Sequence, residues 1–161
     1  MSRTTRFAIF SLALALACVS LAATPAGLTV KLATIAPRNS LWFGALTDMG
    51  GTWTKVTEGR VTLNVFPNGA LGDEPAVIKM MRPDVDSVNA AFLTGPGLAT
   101  IDDGFNVFGI PFFFKSNDEA HAVRKALTPM LATRLEAKGY HLLIWGDGGW
   151  VQVFSKNPVR L

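Results

Sequence analysis

The chain has 161 residues, of which 49% are apolar and 17% charged, with 15 Gly, 9 Pro, one Cys and two His. That is enough for one domain with a sizeable core, or one lobe of a two-lobed protein, and too little for two full domains. The apolar fraction excludes a disordered tail, and a lone Cys with two distant His residues, His121 and His141, excludes a disulfide scaffold or a thiolate zinc site.

Residues 1–22 read as an address. Arg3 and Arg6 precede the apolar run Phe7 to Leu21, which suits the h-region of a signal peptide better than the roughly 20 residues of a membrane span. Ser20-Leu21-Ala22 offers the small-x-small pattern of signal cleavage, giving an expected mature start near Ala23. Ala15-Leu16-Ala17-Cys18 partly resembles a lipobox, so lipid anchoring at Cys18 is an alternative to ordinary cleavage. Setting Arg3 and Arg6 aside leaves 13 Lys and Arg against 12 Asp and Glu, a net charge of +1. With Arg124-Lys125 as the longest basic run, the charge pattern supports neither nucleic acid nor a polybasic membrane patch as a partner.

Leu28 to Thr34 alternates apolar and polar residues and is rich in β-branched side chains, which predicts a strand ending at Ile35-Ala36-Pro37. Asn39-Ser40 can cap a helix whose Trp42, Ala45, Leu46, Met49, Trp53 and Val56 form one stripe, with Gly50-Gly51 marking a kink or a close backbone contact. Val61 to Phe66 is a second strand, closed by Pro67-Asn68-Gly69. Asp73 then caps a helix with Pro75 in its first turn and Val77, Ile78, Met80 and Met81 inward. Val88 to Leu93 reads as a buried strand running into the loop Thr94-Gly95-Pro96-Gly97. Phe105 to Phe114 predicts a short helical turn and an aromatic plug that includes Phe112, Phe113 and Phe114.

Ser116 and Glu119 form a capping box opening a helix with Ala120, Val123 and Leu127 inward, and Thr128-Pro129 predicts a restart, with Leu131 and Leu135 on one face. Lys138-Gly139 closes that helix. Tyr140 to Trp145 and Trp150 to Ser155 read as further strands on either side of Gly146 to Gly149.

Apolar strands alternating with helices predict an α/β fold, a mostly parallel sheet flanked by helices on both faces. Such sheets bind ligands beyond the carboxyl ends of their strands, which selects residues 34–40, 67–74, 94–97 and 145–150. Those segments contain no nucleophile with an adjacent base and no set of metal ligands, so neither an enzyme nor a cofactor or metal site is expected. Asp73-Glu74 most simply caps a helix, Asp102-Asp103 starts a turn or helix, and Asp147 between glycines suits turn chemistry or ligand contact equally. Trp42 can seal the core or stack on a ligand. Neither glycine cluster matches a phosphate-binding loop.

Ala33-Thr34-Ile35-Ala36-Pro37, Arg60 to Glu74, Val107 to Phe114 and Gly148-Gly149-Trp150 with Ser155 to Pro158, in this order and spacing, resemble the DctP-type periplasmic solute receptors of TRAP transporters. The resemblance implies the N-terminal lobe of a type II periplasmic-binding-protein fold: signal peptide 1–22, ligand-binding lobe 23–149, and 150–161 as hinge strand and start of a connection to an absent second lobe. It also implies a periplasmic location, a small organic acid as ligand and delivery to a sodium-driven TRAP permease. The expected ligand-facing residues are Thr34, Ala36, Ser40, Trp42, Glu74, Thr94, Gly95, Asp147 and Trp150. Three departures stand out: Pro83 to Ser87 replaces a compact turn, Val151 and Gln152 stand where many relatives carry an Arg, and the second lobe's anion-binding Arg has no counterpart here. An ABC-type receptor lobe, or a module that dimerises through an exposed hinge strand, are the alternatives.

Overall fold

A computed structural model of the chain describes residues 27–82, 84–85, 87–149 and 155–156. The predicted leader with Cys18, and the predicted strand from Trp150 to Ser155 except its last residue, lie outside the described residues.

Among the described residues three strands form a parallel sheet in the order β2-β1-β3. β1 (Leu28–Thr34) pairs with β2 (Val61–Phe66) from Leu28 opposite Val61 to Ala33 opposite Phe66. Its C-terminal residues Leu32, Ala33 and Thr34 pair on the other side with Ala90, Ala91 and Phe92 of β3 (Ala90–Phe92). β1 is therefore central only at its end, which is where burial sets in: Leu28 is exposed while Leu32 and Ala33 are in the core. The third strand is shorter than its sequence predicts, and within it Val88 lies before the pairing begins, held by a bond from its N–H to the Met80 carbonyl.

α1 (Leu41–Val56) begins at Ser40, whose side chain accepts from the Phe43 N–H. Leu46 and Gly50 carry its buried face, whereas Ala45 and Val56, expected in the stripe, are exposed. Gly50 is required by contact: a Cβ there would stand 2.9 Å from Leu63 Cβ on β2. α2 (Glu74–Met80) starts on Asp73, whose Oδ1 accepts from the Ala76 N–H, and it buries Val77. Thr94-Gly95-Pro96-Gly97, expected as a loop, instead opens α3 (Gly95–Ile101), because Thr94 caps it and Pro96 suits a first turn that lacks intrahelical N–H partners anyway.

A 3₁₀ segment (Asp103–Gly109) follows, burying Phe105. The aromatic plug is only partly formed: Phe114 is buried, but Phe112 and Phe113 are 69% and 50% exposed, because the Phe112 backbone takes a positive φ of 59° that turns this stretch outward. α4 (Asn117–Glu136) runs unbroken through Pro129, which was expected to restart it. Buried Leu131 and Leu135 anchor the second half, and hydroxyls serve the carbonyls around the proline: Thr128 donates to the Arg124 carbonyl at 2.6 Å and Thr133 to that of Pro129 at 3.0 Å. Ser116 accepts from the Glu119 N–H as predicted, while Glu119 reaches the Lys115 N–H.

Among the described residues the hydrophobic interior has two centres. Ala33, Val77 and Val88 join the sheet to α2, with Leu71, Met80, Met81 and Ala91 around them. Phe105, Leu131 and Leu135 join the 3₁₀ segment to α4. Tyr140 to Trp145 is not a strand: Tyr140, Leu142 and Trp145 pack on the second centre while Leu143 and Ile144 are more than half exposed. No helix among the described residues is long and apolar enough to cross a membrane.

Candidate functional site

The carboxyl ends of β1 and β2 are laced together by backbone bonds. The Gly69 N–H donates to the Thr34 carbonyl and the Asn68 N–H to that of Ala36, both at 3.0 Å, and Asn68 Oδ1 accepts from the Arg38 N–H at 3.1 Å. Asn68 and Gly69 make this turn at φ values of 60° and 66°, which Asn and Gly tolerate best. Thr34 is buried and its hydroxyl accepts from the Ala36 N–H at 3.1 Å, so it shapes the turn locally. Ser40 is likewise occupied, donating to the Pro37 carbonyl at 2.6 Å and capping α1.

Glu74 departs from the simple capping role. Asp73 is the cap, and Glu74, a residue only 9% exposed, turns its carboxylate to the end of β3. There it accepts two bonds of 2.6 Å, from the Thr94 N–H at Oε1 and the Thr94 hydroxyl at Oε2. Hydrogen bonds to a charged acceptor are short and strong, so this pair fixes the start of α2 against the start of α3. Gly97 makes room: a Cβ on it would lie 2.6 Å from Glu74 Cδ. Gly95, by contrast, faces open space.

Trp42, in the first turn of α1, meets Phe92 at the end of β3 with ring centroids 5.3 Å apart and planes tilted by 37°. Both rings are half-buried. The 145–149 loop closes over them at Gly146, where a Cβ would stand 2.5 Å from Phe92 Cζ and 3.3 Å from Trp42 Cζ3. The next residue, Asp147, bonds through Oδ2 to His121 Nε2 on α4 at 2.7 Å and accepts from the Gly149 N–H at Oδ1. The His121 bond is the main cause that holds the Asp147 carboxyl below its ordinary pKa, followed by the Gly149 N–H. Asp147 thus bonds within its own turn and to α4 through His121, while His141 stands beside Glu136. Trp150 lies outside the described residues.

Away from this edge, Asp102 does more than start a turn. Buried at 2% exposure, it accepts from Arg134 at 2.8 Å and Lys138 at 2.7 Å on α4, and from the Gly104 N–H. Arg134 first, then Lys138, hold its carboxyl well below the usual aspartate range. The Phe92–Trp42 contact, the partnership of His121 with Asp147 and this pinning of α4 are contacts that sequence spacing does not reveal. Phe92 carried one local clue, its place two residues before Thr94, on the same side of an extended chain.

Surface grooves are present among the described residues. One of about 450 Å³ is lined by His121, Arg124, Lys125, Thr128, Pro129 and Trp145, and one of about 400 Å³ lies between α1 and β2. Among the described residues no cluster of three or more His, Cys, Asp or Glu side chains could hold a metal ion.

Residues 32–161 match the family model described as bacterial extracellular solute-binding protein, family 7, the DctP family. The C4-dicarboxylate-binding periplasmic protein DctP of Rhodobacter capsulatus is 29% identical over 108 residues, 66% of this chain and 32% of that protein. The 2,3-diketo-L-gulonate-binding periplasmic protein YiaO of Escherichia coli is 27% identical over 106 residues, 65% of this chain and 32% of its own. A TRAP periplasmic solute-binding protein from Chromohalobacter salexigens, solved with bound D-glucuronate, superposes with a TM-score of 0.61 at 27% identity, covering 68% of this chain and 36% of that one. One from Sulfurospirillum deleyianum, solved with bound succinate, gives a TM-score of 0.60 at 21% identity, covering 69% and 36%. The chain spans about a third of the length of the curated relatives it matches. The parallel sheet flanked by helices is the type II periplasmic-binding architecture of these structures. With the family model matching most of its length, the chain belongs to the DctP family of bacterial extracellular solute-binding proteins.

Proposed function

We propose that this chain supplies the N-terminal, ligand-facing lobe of an exported receptor that captures a small organic acid and hands it to a TRAP-type permease. In this reading residues 1–22 direct export to the periplasm, residues 23–149 form the lobe, and residues 150–161 lead toward a second lobe. The observation that carries it is the convergence of four separate segments at one sheet edge: the turns after β1 and β2, the β3–α3 junction locked by Glu74, and the 145–149 loop seated on Phe92. Preformed turns on rigid strands are what a binding site requires.

One lobe presents an open, wet face, and a two-lobed receptor gains affinity by burying its ligand between lobes. Calorimetric titration of D-glucuronate and succinate therefore gives weak binding to this chain and tight binding to a version extended through a second lobe. Equal, tight binding by both refutes the lobe reading, and hydrolysis or other turnover of the acid refutes the receptor reading.

A further inference from the structure

Resting on that reading, we infer that His121 is a positioning residue for the ligand edge: its bond to Asp147 holds the far end of the 145–149 loop in place, and without it the loop drifts and the lobe loses part of its grip on the ligand. The observation behind this is how few attachments the loop has. Among the described residues, the Tyr140 N–H reaches the Leu135 carbonyl, and beyond it residues 141–149 make no backbone bond to any other element. Of residues 142–149, Asp147 alone hydrogen-bonds to another part of the described chain, through Oδ2 to His121 Nε2 at 2.7 Å; the bond from the Gly149 N–H to Asp147 Oδ1 lies within the loop.

Packing holds the near end. Trp145 stands against Phe105 and Phe108 with ring centroids 5.9 and 5.6 Å away, and Gly146 is pressed against Phe92. The far end has no such support, since Asp147 is exposed and a Cβ at Gly148 or Gly149 would meet nothing within 4 Å. Its composition makes it costly to order as well: three of residues 146–149 are glycine, which loses more conformational freedom on being fixed than any other residue. The bond from His121, near the capped start of α4, therefore sets where Asp147 and the glycines after it stand. Arg124, three residues further along α4, adds attraction to the same carboxylate. Both members of the His121–Asp147 pair are about half exposed, and a pair so open to water contributes little to global stability. Its effect is local, which separates positioning from a general structural role. An ionised carboxylate only accepts, so Nε2 is the donor, and a side-chain amide N–H can take its place.

The test combines backbone ¹⁵N order parameters with saturation-transfer NMR on the full chain, using D-glucuronate and succinate at millimolar concentration as probes. His121→Ala is expected to lower the order parameters of residues 147–149 from roughly 0.85 to below about 0.6 while β1 and the rest of α4 keep theirs. It should also cut the transfer to the bound acid about threefold, with the urea midpoint almost unmoved. His121→Gln, whose amide N–H can donate to Asp147, should restore both readouts. Asp147→Ala removes the bond from the other side and should loosen the same residues, which gives a second reading should His121→Ala fail to fold; circular dichroism confirms that each variant tested is native. Unchanged order at 147–149 in folded His121→Ala overturns the positioning role while the receptor reading survives. A loosened loop with undiminished transfer, or a large fall in the urea midpoint, does the same. No transfer to either acid from the unmutated chain overturns the receptor reading, whereas the order parameters still decide whether His121 places the loop.

Discussion

Replacing Gly97 by Ala should destabilise the protein through Glu74. Ala is the better helix former by about 1 kcal/mol, so propensity alone predicts a gain at this position in α3. Space decides otherwise, because the new methyl would sit 2.6 Å from Glu74 Cδ and 3.1 Å from its Cβ. The carboxylate can swing clear only by leaving Thr94, whose N–H and hydroxyl it now holds at 2.6 Å each. Hydrogen bonds to a charged group contribute about 1.5–3 kcal/mol apiece, so losing both costs about 3–6 kcal/mol and the net loss is about 2–5 kcal/mol. Urea unfolding followed by circular dichroism measures this, with equal m-values for both proteins as the check on two-state comparison. The same substitution in a Glu74→Ala background should cost almost nothing, since only the approach to the residue 74 Cβ remains. A loss below about 0.5 kcal/mol in the wild-type background, or an equal loss in both backgrounds, would show that Gly97 is not there to seat the Glu74 carboxylate.

Adjacent glycines in α1 should respond with opposite signs. Gly51→Ala meets nothing within 4 Å and should stabilise by about 1 kcal/mol, whereas Gly50→Ala drives a methyl to 2.9 Å from Leu63 Cβ and should lose about 1–3 kcal/mol, both read as shifts in the urea midpoint. Acid should weaken the hold of α4 through Asp102. Its folded pKa is depressed by Arg134 and Lys138, so its contribution is complete above the ordinary aspartate pKa of about 3.9 and is lost as pH falls through the folded value. Asp102→Asn should therefore lower the urea midpoint at pH 7 and flatten its fall below about pH 4; an acid slope identical to that of the unmutated protein contradicts the assignment.

Elements governed by near neighbours were readable in the chain. β1, β2 and the caps Ser40, Asp73 and Ser116 rest on alternation and on side chains that bond two or three residues away, and they stand where the pattern puts them. What failed depended on partners distant in sequence. Tyr140 to Trp145 has the apolar character of a strand, but strandhood needs a neighbour to bond, and here half the segment serves as packing for Phe105 and Leu131. Pro129 is a helix breaker by local rules, overruled by the burial of Leu131 and Leu135. Within the candidate site, topology alone selects the segments that the structure brings to one edge, since strand ends in a parallel sheet are where ligands sit. It does not select the pairings: Glu74 with Thr94 spans 20 residues and His121 with Asp147 spans 26, distances at which no periodicity speaks.

The two apolar centres share no residue, and the Glu74–Thr94 bonds cross between them, from the helix that roofs the sheet to the helix that leans on the 3₁₀ segment. A ligand held at that seam, as proposed, would touch both sides at once. Each half would then melt less readily on its own, so occupancy should be felt as a merging of two loosely linked cooperative units into one. Amide exchange would register it as shared slowing in regions remote from the contact, a mechanical consequence of where the joint was placed.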